Sequence, residues 1–352
     1  MLHALRPAAA LLLAALSAPA FAAEVSVAAK GHAFNPSWSP DGQWLAFELN
    51  PYEGSVSLYA VKVAGGTPSG APTKVNVPGT SSNFASGGSI AAAPTWHPKG
   101  MVVFEGSNAG GAQRLYYWQP GGATAAELLS AQQAGGDLSW PAISPDGKLL
   151  AFVSDATGKG DLYIWDRGTN QVSRAISSEF SEMAPRYNAG GTRIAYSRKN
   201  QGGEDLYTLE GAQSSPRVGG NGDQSRAAWV GEQVVFFSNE RGTDKWDIVL
   251  SGGAGEKRTV AKDIRLPLRA VPAITPDGQW VAYGTTDPEK ADAVMFTRLD
   301  GSKTVQIETG LRACGEPALV QAGGRLWMAF TALPNNQSDW RQLHIIDVTD
   351  KL

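Results

Sequence analysis

The chain is poor in the residues from which many metal, redox and strongly charged sites are built. It has one cysteine, Cys314, four histidines, and only 18% charged residues. A lone cysteine excludes an internal disulfide and a cysteine-rich zinc site. An excess of charge of one sign is also missing. The formal net charge is −3, which offers nucleic acid no basic surface. Beyond the first 22 residues no apolar run approaches the ~20 residues that a membrane-spanning helix needs. These shortages lead us to expect no nucleic-acid partner, no membrane span, no metal and no cofactor.

Turn formers and aromatics are plentiful instead. With Gly 41, Pro 21, Trp 11 and 42% hydrophobic residues, the composition predicts many turns between aromatic-packed strands, an all-β fold. The opening MLHALRPAAALLLAALSAPAFA has a basic start at Arg6, an apolar run from Ala8 to Leu16 and the small-x-small triplet Ala20-Phe21-Ala22. That is the pattern of a secretory signal peptide cleaved after Ala22. No cysteine follows the cleavage position, which disfavours a lipid anchor. The expectation is a periplasmic or secreted protein whose residues 23–352 form one domain.

The stretch SPDGQWLAF (39–47) returns as SPDGKLLAF (144–152) and TPDGQWVAY (275–283). Used as a ruler, it exposes a proline opening six units, at Pro36, Pro94, Pro141, Pro185, Pro272 and Pro317. Ala227 stands in its place in a seventh. Successive spacings are 58, 47, 44, 42, 45 and 45 residues, each about one propeller blade. Every unit repeats a short segment, a turn, an apolar strand, a loop and a further strand such as SLYAVKV (57–63) or DLYIWD (161–166). A weaker last strand follows in all but the seventh unit. EVSVAA (24–29) precedes the first unit and supplies the missing strand if it pairs with the last. The predicted fold is a seven-bladed β-propeller of four-stranded antiparallel blades, closed by the N-terminal strand.

Asp-Gly between two apolar runs is a hairpin signal, because Gly tolerates positive φ and Asp satisfies local backbone donors. Asp41, Asp146 and Asp277 are therefore read as turn residues rather than catalytic acids. Trp38, Trp96, Tyr187 and Trp229 share one strand position, and Phe47, Phe104, Phe152, Tyr196 and Tyr283 another. Repetition at fixed strand positions predicts packing between blades.

The signature PxWSPDGxxLAF followed by LYxxD resembles the PD40 (WD40-like) repeat of TolB-family propellers, found also in the propellers of prolyl oligopeptidase-type peptidases. The resemblance covers essentially the whole chain after the leader. It is strong in units one, three and six and degenerate in four, five and seven. It implies a periplasmic propeller that binds other envelope components. Those peptidases carry a G-x-S-x-G nucleophile elbow, and the sequence has none.

After the leader only His32, His97 and His344 remain, which the repeat register places apart, too few and too scattered for a metal site. The segments leading into the innermost strands gather at one end of a propeller channel, opposite the SPDG turns. They supply His32, Asn35, Asp137, Glu182, Asp223, Arg226, Arg269, Arg312 and Glu316. Acids and arginines around one funnel can bind a polar ligand or peptide, or can pair with each other and plug it. GTSSNFASGGSIAAA (79–93) adds a nearly uncharged loop, read either as a flap at the funnel with Phe84 as a contact or as a plain surface insertion. The leading expectation is a non-enzymatic scaffold whose funnel face binds a periplasmic protein, a peptide or an envelope polymer. A secreted hydrolase or lyase acting on polysaccharide or peptide, with a funnel carboxylate as acid or base, is the alternative.

Overall fold

In a computed structural model the chain is described over residues 22–51, 54–78, 90–107, 111–253, 256–334 and 339–352. Residues 1–21 of the expected 22-residue leader, residues 79–89 of the loop expected to carry Phe84, and part of the expected funnel rim fall outside these stretches. The described residues contain strands but no helix, grouped in seven antiparallel sheets. Each sheet is one blade. The innermost strands are His32–Trp38, Ile90–Trp96, Leu138–Ile143, Ser181–Tyr187, Gln224–Val230, Ala273–Ile274 and Arg312–Ala322, in blades one to seven. The loop expected over 79–93 is shorter than predicted, because Ile90–Trp96 is already strand.

The N-terminal strand does close the ring. Ala23–Val25 pairs antiparallel with the third strand of blade seven, matching Ala23 with Ile345 and Val25 with Leu343. The outer strands of blades one and two are shorter than their sequences promised, TKVNV being strand only over Thr73–Lys74 and AELLS only over Ala126–Glu127, whereas TVQIE is strand over its whole predicted length, Thr304–Glu308.

Seven buried apolar clusters divide the core, one at each seam between adjacent blades. The second-strand aromatics stand where repetition placed them. Phe47, Phe104, Phe152 and Tyr196 are fully buried and Tyr283 is buried, each at the seam with the preceding blade; Phe236, which the repeat reading did not mark, takes the same place in blade five. Burying such a side chain is worth roughly 1.5–3 kcal/mol, so side-chain packing between sheets is a main contribution to holding the ring. Four of them stack on a third-strand partner, Phe47 on Tyr59, Phe104 on Tyr116, Phe152 on Tyr163 and Tyr196 on Tyr207, with centroids 5.8–5.9 Å apart.

The tryptophans one position after the opening dipeptide have a second task. Trp38, Trp96 and Trp229 each donate the indole N–H to a carbonyl of the preceding blade, of Ala318, Ser37 and Arg186 respectively, at 2.9–3.1 Å. Tyr187 takes that place in blade four, and its buried hydroxyl finds no partner.

The SPDG carboxylates close their own turns. Asp41 accepts from Ser39 Oγ at 2.6 Å and from the Gln43 N–H at 3.0 Å. Asp146 and Asp277 repeat the pattern. The Lys148 N–H and the Ser144 hydroxyl hold the Asp146 carboxyl down to about 2, as expected for a carboxylate built into a turn. Gly147 follows at φ 73°, and a Cβ there would lie 2.4 Å from Nε2 of His97 in blade two. Only glycine fits this contact.

Ring closure should be measurable in solution. Val25 is 2% exposed in the seam between blades seven and one, so Val25→Asp should cost about 3 kcal/mol or more in urea unfolding. The exposed neighbour Glu24→Ala should change little.

Candidate functional site

Where the innermost strands face the central channel, six of the seven carry a bulge. The residue before the opening proline or alanine is left-handed: Asn35 (φ 48°), Ala93 (53°), Trp140 (54°), Ala184 (51°), Arg226 (54°) and Glu316 (49°). Strand pairing slips at each of these positions. Such a conformation costs a non-glycine residue about 1 kcal/mol or more, and at four of the bulges a captured backbone N–H offsets the cost. The preceding blade accepts it: Asn35 N–H by Glu316 Oε2 (2.7 Å), Ala93 by Glu48 Oε1 (2.8 Å), Trp140 by Glu105 Oε1 (2.7 Å) and Arg226 by Ser197 Oγ (3.0 Å). Glu48, Glu105 and Ser197 each stand one residue after the seam aromatics Phe47, Phe104 and Tyr196.

Blade six has no such bulge, because its innermost strand is reduced to Ala273–Ile274. The preceding stretch RLPLRAVP (265–272) contains two prolines, which cannot donate to a strand ladder. It lies across the channel instead. The Arg265 N–H donates to Gly284 O (2.7 Å) and the Leu268 N–H to Glu316 Oε1 (3.2 Å). The carbonyls of Pro267 and Ala270 accept from Arg226 Nη1 at 2.7 and 3.3 Å. Arg269 then reaches from the blade-six side to blade two, where Nη2 meets Glu105 Oε1 at 2.6 Å. Its guanidinium lies 4.6 Å over the Trp140 ring of blade three. The ion pair thus spans the ring, and the space left beside it is a cavity of about 40 Å³.

Burial dominates the electrostatics. It pushes the fully buried Glu105 carboxyl up to about 7 against the pull of Arg269 and the Trp140 N–H. Glu316 is raised for the same reason. Burial also lowers Arg226 to about 10, and burial together with the fields of Arg226 and Arg269 lowers Arg186 to about 10. Both guanidiniums stay charged at neutral pH.

Of the nine residues marked by sequence, Asn35, Arg226, Arg269 and Glu316 meet in this channel. The other five stand apart. Asp137 and Asp223 tie loops of adjacent blades together, accepting the Gln113 N–H at 2.7 Å and the Glu204 N–H at 3.0 Å. Glu182 is buried against Arg198 Nε at 3.1 Å. Arg312 donates to Pro334 O at 3.1 Å. His32 accepts the Arg341 N–H at 3.2 Å and meets Trp340 edge-on with centroids 5.0 Å apart. His97 and His344 are remote from it. His97 contacts Gly147 O and Arg167 Nη1, and burial takes His344 down to about 4. Among the described residues no group of three or more His, Cys, Asp or Glu could hold a metal ion. Sequence reasoning missed Glu48, Glu105, Trp140 and Arg186. The available signal was an acid directly after the seam aromatic, in LAFE and VVFE.

The raised Glu105 carboxyl makes stability pH-dependent. Between about pH 4.5 and 7 the folded chain keeps a proton that the unfolded chain has released, so this group's contribution to stability falls as pH rises through that window. Glu105→Gln cannot titrate. Urea unfolding should show the variant losing less stability than the wild type between pH 5 and 8, by on the order of 2 kcal/mol. Parallel slopes would contradict the assignment.

No protein-family model matches the chain. Among curated proteins, the Tol-Pal system protein TolB of Francisella tularensis subsp. tularensis is 24% identical over 229 residues, which is 62% of this chain and 51% of that protein. TolB of Francisella tularensis subsp. mediasiatica gives the same values. The chain therefore spans about half the length of the curated relatives it matches. Among solved structures, a putative TolB from Agrobacterium tumefaciens aligns with TM-score 0.52 and 20% identity, covering 66% of this chain and 81% of that one. TolB from Acinetobacter baumannii aligns with TM-score 0.54 and 15% identity over 88% of this chain and 64% of that one. A puromycin-hydrolyzing peptidase of Mycobacterium tuberculosis aligns with TM-score 0.65 and 16% identity over 95% and 55%. Sequence and structure together make this chain similar to TolB, and its seven-bladed ring is a TolB-like propeller.

Proposed function

We propose that the chain is an exported binding scaffold, acting in the periplasm, that engages a protein, a peptide or an envelope polymer across the channel face opposite the SPDG turns. The observation that carries this reading is the filled channel. RLPLRAVP occupies its mouth, and Leu268 in that segment is 63% exposed. Isolated apolar side chains are common on protein surfaces. This one is carried by the segment whose backbone bonds to Glu316 and Arg226 of the channel, a position suited to a docking anchor. The similarity to TolB, the leader-like first 22 residues, and the lack among the described residues of a helix able to cross a membrane all support it.

The hydrolase alternative is less well supported. The likeness to propeller-bearing peptidases is one of fold. Glu48, Glu105 and Glu316 each accept hydrogen bonds from backbone or side-chain donors of the ring itself, which leaves none of them disposed as a solvent-facing general base.

The test is photo-cross-linking in envelope extract, with a benzophenone amino acid at position 268 and, as control, at Lys148 on the opposite face. Adducts should form from position 268 only, and Leu268→Asp should weaken capture by about tenfold or more. Equal adducts from both faces would contradict the docking surface. Turnover of a glycan or peptide panel by the purified protein would favour the enzyme reading.

A further inference from the structure

The interior of the channel is a separate question from the face above it. The residue after the opening proline or alanine is Ser37, Thr95, Ala142, Arg186, Ala228, Ala273 and Ala318 in blades one to seven. Six are small and uncharged, and Arg186 is the exception. With Asn35, Trp140 and Arg269 it lines the cavity beside the plug.

The walls of this cavity have more donors than acceptors. Arg186 carries five N–H groups, and its one side-chain hydrogen bond among the described residues goes from Nη1 to the adjacent Pro185 O at 2.8 Å. Among the described residues no carboxylate forms an ion pair with it. The acids of the channel are already engaged. Glu48 Oε1 accepts from Asn35 Nδ2 and the Ala93 N–H. Glu105 accepts from Arg269, the Trp140 N–H and Gln113. Glu316 accepts from the N–H groups of Asn35 and Leu268. On the basic side, Arg226 points to two carbonyls, and the buried Nε of Arg269 has no acceptor among the described residues. Arg186 therefore lines the cavity with most of its donors unused, and a guanidinium with free N–H groups is a ready partner for an acceptor supplied from outside.

We propose that this cavity is a binding site for a single small carboxylate held by Arg186 and Arg269. The planar fork of a guanidinium matches the two oxygens of a carboxylate, the Trp140 ring forms an apolar side to the site, and about 40 Å³ admits a carboxylate-sized group and little more. This site does not depend on what docks across the face.

Thermal unfolding in HEPES at pH 7 without chloride tests it, with sodium formate as probe and the tripeptide Gly-Gly-Gly in a parallel arm. Formate should raise the wild-type Tm saturably by about 1–3 °C. A response to formate alone assigns a free acid, and a response to both assigns a carboxylate carried on a peptide. Arg186→Met should abolish the response, while the rim variant Arg312→Met keeps it. Loss of any saturable shift in the wild type overturns the proposal even if the variant fails to fold. So does an equal response from Arg186→Met, or an equal saturable response to sodium chloride, which would assign a spherical halide instead.

Discussion

The bulge in the innermost strands, with its turned backbone N–H, is the local constraint that sets the layout of the channel. A left-handed residue directly before a proline combines two unfavourable local choices. It recurs in blades one to four and in seven, and blade five has the same bulge before Ala227. At four of the six bulges the turned N–H is met by an acceptor from the preceding sheet. Where Glu48, Glu105, Glu316 or Ser197 meets it, the strain of one blade is relieved by a side chain of the blade before it. Seam packing brings the sheets together, and these bonds help fix their relative height along the channel.

That arrangement explains what was legible in the sequence and what was not. Blade number, turn positions and third strands followed from the prolines and from Asp-Gly, since those residues restrict the backbone wherever they occur. DLYIWD was a strand with the predicted bounds. Asn35, Arg226, Arg269 and Glu316 could be assigned to the channel because each precedes the innermost strand or its opening proline or alanine. Glu48 and Glu105 could not. They lie inside apolar runs, and period-two alternation alone places them at a seam, whereas the bulge of the neighbouring blade brings a backbone donor to them. The plug needed another kind of signal, the spacing of Pro267 and Pro272, which leaves blade six too little unbroken backbone for a full innermost strand.

A filled channel also changes which chemistry belongs where. Funnel arginines and acids invite a ligand-binding reading, and here Glu105 already accepts from Arg269 across the ring. The plug leaves Leu268 exposed above and an unneutralised Arg186 beside the cavity within. One face thus carries an apolar feature and the interior a cationic one.

The pairing of Ala23–Val25 with the strand of blade seven also bears on folding order. Ala23–Val25 finds its partner only when the sequence through Ile345 is available, so blade seven cannot be completed while its own sequence is still emerging. Contacts of such long sequence separation form slowly. Until they form, the first and last blades expose unpaired strand edges, the state in which this protein is most open to aggregation or to capture by a chaperone.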